Sequence, residues 1–179
     1  MAMRPRPGVL LVATPQLTDP NFLRSVIFLL DHGEGGSLGF IVNRPLDLPL
    51  NELWTEVPDG LAELRLAAEG GPVDKHKGLL LHSEMNLAGA QVMGEGVAIG
   101  GDLSALAERW SNGGDHTGPR LYLGHSGWTF GQLQREIDDG AWLIRPGHVD
   151  LLISSQSLEL LWQQLIEGHV DGMPDPSRN

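Results

Sequence analysis

Short apolar runs separated by turn residues dominate the first 45 positions. Gly8 to Thr14 (GVLLVAT) is a continuous apolar run stopped by Pro15, the pattern of a buried strand. Asp19-Pro20-Asn21 predicts a tight reversal, with Asp19 and Asn21 making Asx turns. Arg24 to Leu30 (RSVIFLL) is rich in β-branched and aromatic residues and predicts a second strand. The glycines from Gly33 onward read as hairpin chemistry, and Leu38 to Val42 as a third strand ended by Asn43-Arg44-Pro45. These residues together predict an antiparallel meander.

The periodicity then lengthens. Leu50, Leu53, Trp54 and Val57 share one helical face, which predicts a short helix over 48–57 with Pro49 at its first position. Residues 61–68 fit helix or strand equally. Glu69 to Val73 (EGGPV) reads as a turn, Gly78 to His82 and Val97 to Ile99 as strands. Asp102 starts a helix to about Trp110, with Leu103, Leu106, Ala107 and Trp110 facing the core. Near the C-terminus, Val149 to Ile153 predicts a strand. Ser154 or Ser155 then caps a helix whose Leu158, Leu161, Trp162 and Leu165 form an apolar stripe ended by Gly168. No internal repeat or linker divides the chain. Hairpins with interspersed helices predict one α+β domain over 1–170, with a mixed, mainly antiparallel sheet and a disordered tail at 171–179.

Leu121 to Ile144 (LYLGHSGWTFGQLQREIDDGAWLI) is the most strongly punctuated stretch. It reads as strand, tight turn, helix from Phe130, glycine stop and strand. Thr129 and Gln132 have the spacing of a capping box, Trp128 and Leu133 that of a hydrophobic staple, and Gly140 that of a C-terminal stop. Within it, Gly124-His125-Ser126-Gly127-Trp128 resembles a G-x-S-x-G nucleophile elbow. Asp138, Asp139 or Asp150, followed by His148 or His169, would imitate the acid and base of a hydrolase. Trp128 in place of the last glycine, the late helix start and the short chain beyond Ser126 all count against it. The capping reading explains more of the residues.

Composition narrows the function classes. Twelve basic against 23 acidic residues give a formal charge of −11 in 179 residues. The longest basic cluster is Lys75-His76-Lys77. An acidic chain with so small a basic footprint argues against direct nucleic-acid binding, which depends on neutralising phosphates. There is no cysteine, so thiol chemistry is excluded and secretion gains no support. No apolar run approaches a membrane span. The expected location is cytoplasmic. The seven histidines show no metal-ligand spacing, and no glycine-rich phosphate loop is present, so neither a metal nor a cofactor is expected. Arg24 and Arg44 could pair with carboxylates or hold an anion, and His82-Ser83-Glu84 could cap a loop.

Several of these segments, taken together, closely resemble the YqgE/AlgH family of bacterial proteins. They are ATPQLTDPNFLRSVIFLLDH (Ala13 to His32), GFIVNRPL (Gly39 to Leu46), EGGPV (Glu69 to Val73), LLHS (Leu80 to Ser83) and LGHSGWTFGQLQREIDDGAWL (Leu123 to Leu143). The resemblance implies a bifurcated, partly barrel-like sheet surrounded by helices. It supplies no catalytic residues. Some members carry the label of transcriptional regulator. Position 125 is more often aromatic or apolar in the family, whereas this chain has His125.

The function expected from residues and resemblance together is binding without catalysis, through a protein or small-molecule partner, with a regulatory role. A hydrolase using Ser126 with a histidine is the alternative, and a DNA-binding regulator the second. A cleft is expected where Asp19, Asn21, Arg24, Asn43, Arg44, His125 and Ser126 converge.

Overall fold

A computed structural model describes residues 4–94, 96–111, 120–147 and 160–167. Strands β1 (Val9–Ala13), β2 (Val26–Gly33) and β3 (Gly36–Ile41) form the expected antiparallel meander. β1 is buried on both faces: Leu10 and Val12 enter one core, and Val9, Leu11 and Ala13 a second. That is why it lacks polar alternation.

The next segment departs from its helical periodicity. Only Leu50–Leu53 is helical (α1), because Pro49 caps it in an extended conformation and Trp54 is extended again. Leu50, Leu53, Trp54 and Val57 nevertheless join one core cluster, so the apolar spacing reported burial rather than helix length. The ambiguous stretch resolves into a 3-10 turn at Asp59–Leu61 and a short strand, β5 (Ala67–Glu69), paired with β4 (Pro45–Leu46).

β6 (Val73–His82) is longer than its apolar half suggests, since residues 73–78 are exposed. β7 (Gln91–Gly94) and β8 (Val97–Ile99) form a hairpin beside it. Asp102 caps α2 (Leu103–Ser111), its carboxylate accepting from the backbone N–H of Ser104 and Ala105 at 3.1 Å each. The side chain of Trp110 lies outside the described residues.

β9 (Arg120–Trp128) runs through the whole glycine-serine motif. The tight turn expected there is absent: Ser126 is a strand residue opposite Gly39. α3 begins at Gln132, not Phe130, behind Gly131 in the left-handed conformation (φ 78°). Half of the capping box forms. Gln132 Oε1 accepts from the Thr129 N–H at 3.0 Å, while the Gln132 N–H goes to the Thr129 carbonyl instead of its hydroxyl. Trp128 and Leu133 share one core, as the staple requires. β10 (Trp142–Pro146) pairs with β1, and α4 (Leu161–Glu167) packs on the concave core through Leu161 and Leu165. The strand at 149–153, the serine cap, Gly168, the tail and the 1–170 boundary lie outside the described residues.

The sheet path is β10-β1-β2-β3-β9-β6-β8-β7, with β4 and β5 off it. It curls into an antiparallel half-barrel. Its two ends approach across a hollow of about 620 Å³ lined by Val92 and Met93 of β7 and by Pro146 and Gly147 at the end of β10. β9 is the branch. Residues 126–128 pair with β3, while its first half pairs antiparallel with β6 and parallel with β5. Where the two sheets part, Gly70 bridges them: its carbonyl accepts from Ile41 N–H and its N–H donates to Leu123 O, each at 2.7 Å.

The crossing demands glycine. A methyl group on Gly70 would overlap the Gly124 carbonyl, one on Gly124 the Gly71 carbonyl, and Gly124 has φ 79°. Gly127 has nothing closer than Ser37 O at 3.9 Å. Gly124→Ala is therefore expected to destabilise by about 3 kcal/mol, combining overpacking with left-handed strain. Gly127→Ala should stay within about 0.5 kcal/mol of the parent. Urea unfolding of both variants checks this, and equal losses would refute the crossing as the cause.

Candidate functional site

The first predicted group is built on the loop before β2. Asp19 accepts from the Asn21 N–H at 2.9 Å, the expected Asx turn. Phe22 turns inward, and Arg24 adopts φ 56°, a left-handed conformation that is costly for a side chain of its size. Asn43 holds it there. Its amide donates to the Arg24 carbonyl at 2.9 Å and its oxygen accepts from the Val26 N–H at 2.9 Å. The Arg24 guanidinium lies 5.4 Å from the centre of the Trp162 ring, a cation–π contact instead of the expected carboxylate pair. Arg44 contributes its backbone, whose carbonyl accepts from Glu69 N–H.

His125 and Ser126 do not join this group. Gly39, the partner of Ser126, lies four residue steps before Asn43, roughly 13 Å along an extended chain. The Ser126 hydroxyl is fully buried against Gly71 and has no hydrogen-bond partner among the described residues. No described imidazole reaches it, so no nucleophile–base pair of a serine hydrolase forms there among the described residues. His148, His169 and Asp150 lie outside the described residues. The half-buried His125 sits opposite Val73 of β6. Among the described residues no cluster of three metal-ligating side chains occurs. No described helix is long and apolar enough to cross a membrane.

His82 is buried and serves structure. Its Nδ1 accepts from Glu84 N–H at 3.1 Å, so Nε2 carries the proton and donates to Gly100 O at 2.7 Å. Glu136 is another hub: one carboxylate oxygen accepts from the indole N–H of both Trp128 (3.2 Å) and Trp142 (2.9 Å), the other from Gln132. Phe22 packs on both indoles.

The concavity with the character of a ligand site lies elsewhere, in the third core cluster. It is about 400 Å³. Leu80, Leu121 and Leu123 of β6 and β9 make its floor, with the Leu121 side chain packed directly on Gly78. Leu53 of α1, Trp54 directly after it and Leu103 of α2 line it as well, together with Gly100, Gly101 and exposed His76. Its size falls in the usual range for small-molecule sites, and its lining is mostly apolar with few polar groups. The larger hollow between the sheet ends is less suited, since exposed Arg6, Pro7 and Asp31 form much of its wall. None of the predicted site residues lines the smaller cleft. Its leucines and Trp54 read as core stripes, and only a glycine inside a strand two places from a histidine hinted at an opening.

The fold and cleft define a small α+β protein with a branched, half-barrel sheet. The chain belongs to the AlgH-like family, whose sequence signature matches residues 10–170. It is 38% identical over 155 residues to a UPF0301 protein of Ruegeria pomeroyi, covering 83% of this chain and 84% of that one. A UPF0301 protein of Streptomyces avermitilis is 38% identical over 168 residues, covering 89% and 84%. The solution structure of AlgH from Pseudomonas aeruginosa superposes with a TM-score of 0.67 at 26% identity, covering 97% of this chain and 94% of that one. A crystal structure from Corynebacterium diphtheriae matches in fold (TM-score 0.73, 22% identity, covering 98% and 91%).

Two substitutions separate structural from chemical roles. Asn43→Ala should cost about 2 kcal/mol, since it strips two backbone groups of their partners. Ser126→Ala removes an unpaired buried hydroxyl and should raise stability by about 1 kcal/mol. Thermal unfolding measures both, and a destabilised Ser126→Ala variant would reveal a partner for the hydroxyl.

Proposed function

We propose that this protein is a cytoplasmic binding protein, not a catalyst, and that a small molecule held in the cleft between α1, α2 and the β6–β9 floor is its ligand. The observation that carries this reading is the cleft itself. It is a 400 Å³ apolar hollow bounded by elements of four different strands and helices, with one imidazole and one indole as its polar features. Such a site gains affinity from apolar area and uses its few polar groups for orientation. Ligand occupancy would tie α1 and α2 to the sheet, and that coupling suits a regulatory role.

Leu103 is half-buried on the α2 wall, so Leu103→Trp fills the hollow without touching the glycine crossing. A thermal-shift screen of small apolar and amphipathic compounds should yield hits that raise the melting temperature of the parent and not of Leu103→Trp. A screen in which no compound shifts the parent, or in which the shifts survive in Leu103→Trp, would count decisively against the cleft. Sedimentation of the protein with membranes in cell fractionation would contradict the cytoplasmic assignment.

A further inference from the structure

We propose that Arg24 and the Trp162 ring it covers form a docking point, separate from the cleft, for a partner protein that presents a single carboxylate among apolar side chains. The first observation is strain that a smaller residue would avoid. Arg24 holds φ 56°, a conformation that glycine adopts freely and a long side chain only at a cost. Asn43 keeps it there, donating to the Arg24 carbonyl and accepting from the Val26 N–H. What an arginine adds at this place is its side chain. The guanidinium stands 5.4 Å from the centre of the Trp162 ring. That indole is itself fixed, since its N–H donates to the Ala13 carbonyl at 2.6 Å, at the end of β1.

The second observation is an unanswered charge. The chain carries 23 acidic residues against 12 basic ones, yet no described carboxylate pairs with exposed Arg24, and its guanidinium donates no described hydrogen bond. The acid of the same loop, Asp19, accepts from the Asn21 N–H instead. A planar fork of N–H donors held against an aromatic ring is suited to bidentate binding of a carboxylate. Exposed apolar side chains adjoin the pair along the chain: Leu23, 51% exposed, precedes Arg24, and Leu160, 53% exposed, stands two places before Trp162. Arginine and tryptophan are among the side chains that most often carry binding energy at protein interfaces, and the leucines offer apolar area beside them. A free small acid would leave those leucines in water, whereas a segment with apolar flanks covers them. A net charge of −11 repels a long acidic run, so the complement is one carboxylate and not many.

Fluorescence anisotropy of labelled synthetic peptides titrated with the full chain tests this. Each peptide has blocked ends and one central Glu among leucine, valine and phenylalanine, and each has a twin with Gln at that place. The Glu peptides should bind about tenfold more tightly than their twins, the factor of one charge-assisted hydrogen bond. In Arg24→Gly the preference should disappear while the melting temperature falls no lower than that of the parent, because glycine takes φ 56° without strain. Arg24→Lys keeps the charge and loses the fork, so it should fold as the parent does and bind the Glu peptides more weakly. Equal binding of the twins, no binding of any peptide, or a Glu preference that survives in Arg24→Gly overturns the docking point. A lower melting temperature in Arg24→Gly, with no Glu preference in the parent, would make the strained arginine a clamp on α4 alone.

Discussion

Two segments of backbone pass each other at van der Waals distance where Gly70 and Gly71 cross β9 at Gly124. The rest of the molecule depends on that approach. A strand ordinarily has two edges and two neighbours. β9 has three, because β3 flanks only its residues 126–128 while β5 and β6 flank its first half. The parting exposes backbone groups that water does not reach, and the Gly70 peptide satisfies both sides at once. Any side chain at the crossing would push the sheets apart and orphan those groups.

The three cores follow from this branch. Before Gly124, β9 presents Tyr122 to the concave core and Leu121 and Leu123 to the cluster under α1 and α2. After it, Trp128 belongs to the core under α3. One strand thereby anchors all three clusters, and a single glycine with positive φ switches the faces. The cleft is a by-product of the same geometry. The two short helices that cover the β6–β9 floor leave it partly unfilled, and Gly100, beside which a side chain would meet nothing within 4 Å, adds to the open space.

Local signals were readable in the chain wherever one element decided them. The meander, the Asx turn at Asp19, the Asp102 cap and the Trp128–Leu133 staple all rest on contacts within a few residues. The branched half-barrel did not follow from periodicity; it came with the family resemblance. Elements decided by distant partners carry no such local signal. Ser126 looked like part of a turn because glycines flank it, yet those glycines serve the packing of a strand. Trp54 and Val57 looked helical because they are buried on one side, and a proline-capped single turn buries them equally well. In the sequence, Arg24 and Asn43 are polar residues beside strands. That one clamps the backbone of the other across 19 positions is a tertiary fact. The cleft was the least legible, since a leucine that lines a hollow is written with the same letter as one that fills a core.

The Glu136 carboxylate has a consequence for how the molecule can be observed. Trp128 and Trp142 stand 6.1 Å apart, edge to face, with both indole N–H groups on one oxygen. Two chromophores so close and so fixed couple optically, and a shared anion shifts the excited states of both in the same direction. Their near-ultraviolet circular dichroism is thus a signature of the contact between the end of β9 and the start of β10. Trp54, in the cleft, belongs to a different core and reports separately. Trp128 and Trp142 are thus a spectroscopic window on the core under α3, and Trp54 a separate one on the cluster under α1 and α2.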